Sequence, residues 1–426
     1  RCVYCMPERD VEWFERGGIL TFEEIARVVR LLAGRGVGEV RLTGGEPLLR
    51  RDLPVLAGMI AAIPGIEDLS ITTNGLLLAS AARPLFEAGV RRFNVHLDSL
   101  DEATYRRASR RNALTRVLQG IEGVERLDCI NNFTSLIHGH AFPPVVKAVT
   151  AQLARGTNFA FSTPEELLLA KLLVERVPGL EQVRFGNSGT EAGMMAIKAA
   201  RGFTGRPKIA KFEGAYHGSY DYAEVSLGST AENWGPLAEP ASVAYSRGTA
   251  PAVLADVVVL PFNRPELAAR LIERHARELA AVIIDPVPNR VGLMPATPER
   301  IETLRAVTSA TGILLIFAEV ISFRVGYHGA QGHFGARPDL TTLGKIIGGG
   351  FPVGAVGGRA EVMAVFDPRG GAPIVPHGGT FNANPVTMAA GLAGMRLLDA
   401  ASFRTMDDLA GRLRDGLAAC FSESGV

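Results

Sequence analysis

Short apolar runs recur between amphipathic stretches along most of this chain, and most runs end in a polar or glycine-rich cluster. That cadence constrains the fold more than any other feature. Strands separated by helices run parallel, because a right-handed crossover returns each strand in the direction of the last. Ligand-handling residues then collect at the C-terminal ends of the strands. In the first part, TFEEIARVVRLLAGRGV predicts an amphipathic helix with Thr21 as N-cap, Glu24 three residues on, and Gly34 and Gly36 marking its end. EVRLTG follows as a strand, then a helix over RRDLPVLAGMIAAI, the strand DLSITTNG, the helix ASAARPLFEAGV and the strand RRFNVHLDSL. Polar clusters fall at the strand ends: Thr43-Gly44-Gly45-Glu46, Thr72-Thr73-Asn74-Gly75 and His96-Leu97-Asp98-Ser99.

Near residue 125 the register changes: LDCINNFTSLIHGHAFPPVV is rich in turn residues and does not continue the repeat. A second α/β series follows with longer loops. It contains the strand QVRFGNSG, the helix TEAGMMAIKAARGF, the strands KIAKFEGAY, AAVIIDPV and GILLIFAEV, and then LTTLGKIIGGGFPVG. At 426 residues two or more cores are expected. We place the boundary so that 1–124 and 125–426 form separate domains, with no Ser/Gly- or Pro-rich linker between them. A net charge of +1 offers no bulk attraction to nucleic acid or to an anionic membrane. No apolar run reaches the roughly 18 residues of a spanning helix. Four cysteines make no disulfide framework, which favours a reducing cytoplasm. The chain starts on Arg1 and stops at CFSESGV, and both ends are expected to be cut.

Cys2 and Cys5 in RCVYCMPE have the spacing of half a zinc site, a redox pair or part of an iron–sulfur motif. RCVYCMPE, VRLTGGEPLLR, DLSITTNG and NVHLDSLD occur in that order. Together they resemble the radical S-adenosylmethionine enzymes that cyclise GTP in molybdenum cofactor synthesis. The resemblance implies a partial (βα) barrel fragment over about 1–124. It implies a [4Fe–4S] cluster on a three-cysteine loop, of which Cys2 and Cys5 are the latter two ligands and Tyr4 the aromatic between them. The first cysteine position falls four residues before Cys2, and Cys129 and Cys420 lie in unrelated sequence. Gly45 and its loop would meet the amino group of S-adenosylmethionine, and Arg41 and Thr72 the GTP side. His96 departs from the family's usual Ser at a cosubstrate contact.

In the second series, Lys345 stands between an apolar strand and the run Gly348-Gly349-Gly350. A phosphate loop is not satisfied, because Ile346 rather than Ser or Thr follows the lysine. Glycines let a bound ligand approach the backbone, and a lysine desolvated there is suited to forming a Schiff base. NSGTEAGMMAIKAARGFTGRPKIAKFEGAYHGSYD, VGYHGAQGHFG, PDLTTLGKIIGGGFPVGAVGGR and GTFNANP resemble class III pyridoxal-phosphate aminotransferases. Among these the chain is most similar to glutamate-1-semialdehyde aminomutase and β-amino-acid transaminases, over about 126–426. The fold implied is the type I α/β fold: a large domain with a mostly parallel sheet flanked by helices, and an incomplete small domain. Lys345 would form the Schiff base. Ser188, Gly189 and Thr190 would receive the phosphate at a helix N-terminus. Tyr216 would stack on the ring, with His217 beside it. Asp285 lies in a cofactor-contacting Asp-Pro where the family more often has Glu-Pro. Thr380 would reach the phosphate of a neighbouring subunit, so a homodimer is expected, with a small amino acid or keto acid as substrate.

One departure bears on chemistry. In ILLIFAEVISFR the family's F-D-E-V carboxylate, which keeps the pyridine nitrogen protonated, is replaced by Ala318. Glu319 faces the other side of the strand. The leading reading is aminotransferase or 2,1-aminomutase chemistry, impaired by Ala318. The rivals are a radical GTP cyclase-type enzyme, a catalytically silent cofactor-binding scaffold, and an artificial join of two truncated families.

Overall fold

Thr21 opens the first helix through a closed capping box: its hydroxyl accepts from Glu24 N at 3.2 Å, and Glu24 Oε2 accepts from Thr21 N at 2.8 Å. The helix runs Phe22–Ala33 and is capped by Gly34. The computed structural model describes residues 19–97, 99–109, 112–122 and 131–423. It divides into two compact units, Arg1–Asp128 and Cys129–Val426.

In the first unit, β1 (Glu39–Leu42), β2 (Asp68–Thr73) and β3 (Arg92–Val95) form a parallel sheet in that order. Helices Leu53–Ala61 and Leu78–Glu87 are the crossovers. Their core joins Ala26, Leu56, Ile60, Leu69, Ile71 and Leu85. Register pairs Arg41 with Ser70, so Arg41 and Thr72 lie on one face of the sheet.

The second unit holds a sheet of seven strands in the order β4-β10-β9-β8-β7-β5-β6. These are β4 (Gln182–Gly186), β5 (Lys208–Phe212), β6 (Val257–Leu260), β7 (Leu279–Ile284), β8 (Leu314–Ala318), β9 (Leu340–Gly344) and β10 (Gly354–Gly358). Only β10 runs against its neighbours. β7, β8 and β9 are buried at every residue, as strands covered on both faces must be. Alternation assigns Val282, Ile284, Leu315 and Phe317 to one core layer. It assigns Ala281, Ile283, Ile316 and Ala318 to the other, beneath the helix Gly189–Thr204. That helix comes close because its buried face is built from small residues, among them Ala192, Gly193, Ala196 and Ala199.

A row of glycines crosses the sheet where β4 and β9 end: Gly354 pairs with Gly186 on one side and Gly344 on the other. A Cβ on Gly354 would lie 1.9 Å from Ser188 O. Gly354→Ala is therefore expected to destabilise the chain by about 3 kcal/mol or more. Gly370→Ala, where a Cβ meets nothing within 4 Å, is expected to stay within about 0.5 kcal/mol. Denaturant unfolding of both variants checks the contrast.

Candidate active site

The ends of β4, β5, β7, β8 and β9 and the loop before β10 surround a cavity of about 380 Å³, the position where open α/β sheets hold ligands. β4 delivers Ser188, Gly189 and Thr190. Ser188 caps the helix Gly189–Thr204, its hydroxyl accepting from Glu191 N at 3.1 Å. The free amides of that first turn and the positive end of the helix dipole favour an anion. Thr190 Oγ1 accepts from Ser219 N at 3.1 Å. A Cβ on Gly189 would strike Val320 at 2.8 Å, and one on Gly218 would strike Thr190 at 2.7 Å, so both glycines are set by close packing around this turn.

β9 ends at Gly344, and Lys345 follows with φ 49° in a short 3-10 turn. A non-glycine residue in the left-handed region carries strain, of the kind concentrated at functional sites. Its side chain is half-buried and lines the cavity. Among the described residues its ammonium has no hydrogen-bond or ion-pair partner. Burial lowers its pKa from the ordinary lysine value, which favours the free amine.

Tyr216 and His217 lie between β5 and the rest of the cavity wall. Tyr216 stays 36% exposed and lines the cavity. His217 is buried, neither ring nitrogen finds a partner among the described residues, and burial drives its pKa down to about 3, so the ring is neutral. Asp285, one residue past β7, is buried, and its Oδ1 accepts from Val287 N at 3.0 Å. Burial raises its carboxyl to about 6. Ala318 closes β8 and presents only a methyl. Glu319 is turned to the helix Gly329–Phe334, where Oε2 accepts from Ala330 N at 2.7 Å, and it does not line the cavity.

The structure thus brings Lys345, Ser188, Gly189, Thr190, Tyr216, His217 and Asp285 to one cavity. Thr380 is not among them: it lines a second cavity of about 650 Å³ with Arg184 and His377. The sequence reading missed Val320, Thr342 and Phe351, which also line the first cavity. Their signal was position alone, since Val320 stands just past the end of β8 and Thr342 within the adjacent β9.

In the first unit the glycine-rich loop after β1 is tied to the end of β2 through Glu46. Its Oε1 accepts from Thr73 Oγ1 at 2.6 Å and its Oε2 from Asn74 N at 2.8 Å. Gly45 and Arg41 are exposed and Thr72 is half-buried. Cys2, Tyr4, Cys5, Asp98 and Cys129 lie outside the described residues. Among the described residues no group of three or more His, Cys, Asp or Glu side chains is placed to hold a metal ion. No helix among them is long and apolar enough to cross a membrane.

The cavity fits a phosphate-bearing aldehyde: amides at one end, an unpartnered amine, and an aromatic wall. Comparison with known proteins agrees. The class-III aminotransferase family model matches residues 104–424, and the radical SAM superfamily model matches residues 1–142. Glutamate-1-semialdehyde 2,1-aminomutase of Caldivirga maquilingensis is 43% identical over 310 residues, 72% of this chain and 70% of that protein. The same enzyme of Methanothermobacter thermautotrophicus is 41% identical over 308 residues, with the same shares covered. An omega-transaminase from Sphaerobacter thermophilus superposes with TM-score 0.69 at 60% identity, covering 71% of this chain and 68% of its own. A β-phenylalanine aminotransferase from Variovorax paradoxus superposes with TM-score 0.61 at 41% identity, covering 70% and 64%.

The buried acid Glu319 gives a prediction for the chain without ligand. Burial raises its carboxyl from 4.5 to about 7. The folded chain keeps a proton there that the unfolded chain has released, so this group lowers stability as pH rises through that window. Glu319→Gln removes the titration. Its stability relative to the parent is expected to improve by on the order of 1–3 kcal/mol between the acid and neutral ends of the window. Thermal unfolding of both proteins at the two pH values checks it, and an unchanged difference contradicts it.

Proposed function

The chain belongs to the class-III aminotransferase family, and from that premise we propose that residues 125–426 carry out pyridoxal-phosphate-dependent amino transfer on a small amino acid in the cytoplasm. The transfer is either to a keto acid or within one molecule, as in a 2,1-aminomutase. The observation that carries this reading is Lys345: a strained, half-buried, unpartnered amine facing the same cavity as a helix N-terminus.

Bound pyridoxal phosphate supplies an aldehyde for the amine and a ring that withdraws electrons from the carbon bearing the substrate's amino group. The remaining work falls to the chain. Ser188, Gly189 and Thr190 hold the phosphate with backbone amides and the helix end. Tyr216 and Val320 supply walls for the flat ring. His217, neutral and buried, adds no charge there. Lys345 Nζ would anchor the aldehyde and, as a free amine, would take the proton from the substrate carbon. Its partial desolvation shifts that amine toward the unprotonated form. Thr380, outside this cavity within one subunit, is assigned to the phosphate of a neighbouring subunit in a homodimer. With Ala318 on β8, transfer is slow unless another acid serves the ring nitrogen. For the first unit the family match supports a radical S-adenosylmethionine fragment, with Gly45, Arg41 and Thr72 as its ligand-side residues. No step is assigned there to an iron–sulfur cluster on Cys2 and Cys5.

Incubation with pyridoxal phosphate, borohydride reduction and peptide mapping are expected to place the label on Lys345. Lys345→Ala is expected to lose that label and to slow amino transfer by about 10³-fold or more. A label spread over surface lysines, with none preferred, contradicts the proposal.

A further inference from the structure

We propose that Asp285 is the charge partner of the cofactor's ring nitrogen, taking over from the adjacent strand the role that Ala318 cannot fill. The proposal rests on the reading of Lys345 and pyridoxal phosphate given above and deepens it.

The geometry begins with register. β7 and β8 are parallel neighbours, and Ile284 aligns with Phe317. One residue further, Asp285 therefore stands beside Ala318, about 4.8 Å away at the backbone. Alternation fixes the face. Ala281 and Ile283 of β7 share a core layer with Ile316 and Ala318 of β8, so Asp285 and Ala318 continue the same side. That side is the one covered by the helix Gly189–Thr204, whose first turn lines the cavity. Both residues line it too.

Composition of the wall narrows the choice. Among the described residues lining the cavity, Asp285 is the one carboxylate and Lys345 the one ammonium. Glu319, the other acid nearby, does not line the cavity, and its Oε2 accepts from Ala330 N. His217 is neutral at ordinary pH. A buried carboxyl whose pKa has risen to about 6 lacks a cationic partner, and a protonated ring nitrogen would supply one. The chemistry is a proton equilibrium and nothing more. One proton, from the carboxyl itself or from solvent, rests on the ring nitrogen, and the negative charge stays on Asp285. No other bond forms or breaks. A ring held protonated in this way keeps its electron-withdrawing power despite the methyl at 318.

The test uses the full chain loaded with pyridoxal phosphate carrying ¹⁵N in the ring, and reads the nitrogen chemical shift at neutral pH. The parent is expected to show a protonated nitrogen, Asp285→Asn an unprotonated one, and Asp285→Asn with Ala318→Asp a protonated one again. Single-turnover amino transfer is expected to fall by about 10²-fold in Asp285→Asn and to recover in the double variant. If Asp285→Asn does not fold, Asp285→Ser is read in the same way. An unprotonated nitrogen in the parent, or an unchanged shift in the Asp285 variants, overturns the proposal. Borohydride trapping of the same samples separates the two ideas. A label on Lys345 with an unchanged shift sinks only the role of Asp285, whereas a missing label in the parent sinks the reading beneath it.

Discussion

The contact between Ser188 O and the bare backbone of Gly354 is the constraint on which the site depends. With 1.9 Å between that oxygen and an imagined Cβ, no side chain can stand there. Because Gly354 also pairs with Gly344 of β9, the same residue ties the turn after β4 to the residue before Lys345. The amide cradle and the amine are thereby set against each other by backbone alone. Val320 completes the arrangement from the turn after β8. Its methyl groups sit within 3.2 Å of where a Cβ on Gly189 or Gly344 would be, so these two glycines also follow from packing. A pocket built this way owes its shape to main-chain positions, which leaves its side chains open to change without loss of the frame.

Desolvation presses on three titratable groups of the cavity. His217 is held neutral, Asp285 is pushed toward neutrality and Lys345 toward the free amine, each through desolvation as the leading cause. Groups displaced from their ordinary pKa in a shared cleft are a mark of chemistry rather than of stability, since each costs folding free energy. Glu319 and the buried Lys211, whose Nζ donates to Val225 O at 2.6 Å and whose pKa falls to about 7, extend the pattern below the cavity. Such groups persist because the surrounding sheet leaves them nowhere else to go.

Much of this was legible in the sequence. The capping box at Thr21, the strands LLIFA and LTTLG, and the cap at Ser188 follow from local rules, because each depends on neighbours a few residues away. β10 was not legible. Three of its five residues in GAVGG are glycines, which carry no strand propensity, and it becomes a strand only because two partners close on it. The left-handed Lys345 was equally hidden, since nothing local forces a lysine there. The adjacency of Asp285 to Ala318 lies thirty-three positions apart in the chain and appears only with strand register. The family resemblance implied that a carboxylate is missing at 318 but had no means of showing what stood beside the gap.

That adjacency changes what the alanine means. Two carboxylates on neighbouring in-register positions of one face would repel, and burial would force one of them to keep its proton. The pattern that the resemblance implies, Glu-Pro at 285 with Asp at 318, carries both acids at that cost, whereas this cavity is lined by one buried acid and one half-buried amine among the described residues. Ala318 packs among Ile283, Ile316 and Met195 in a layer that accepts a methyl readily. With a methyl on β8, the acid on β7 is the one carboxylate left lining the cavity among the described residues. On the proposal made above, the electrostatic requirement of the ring then falls on that strand end alone.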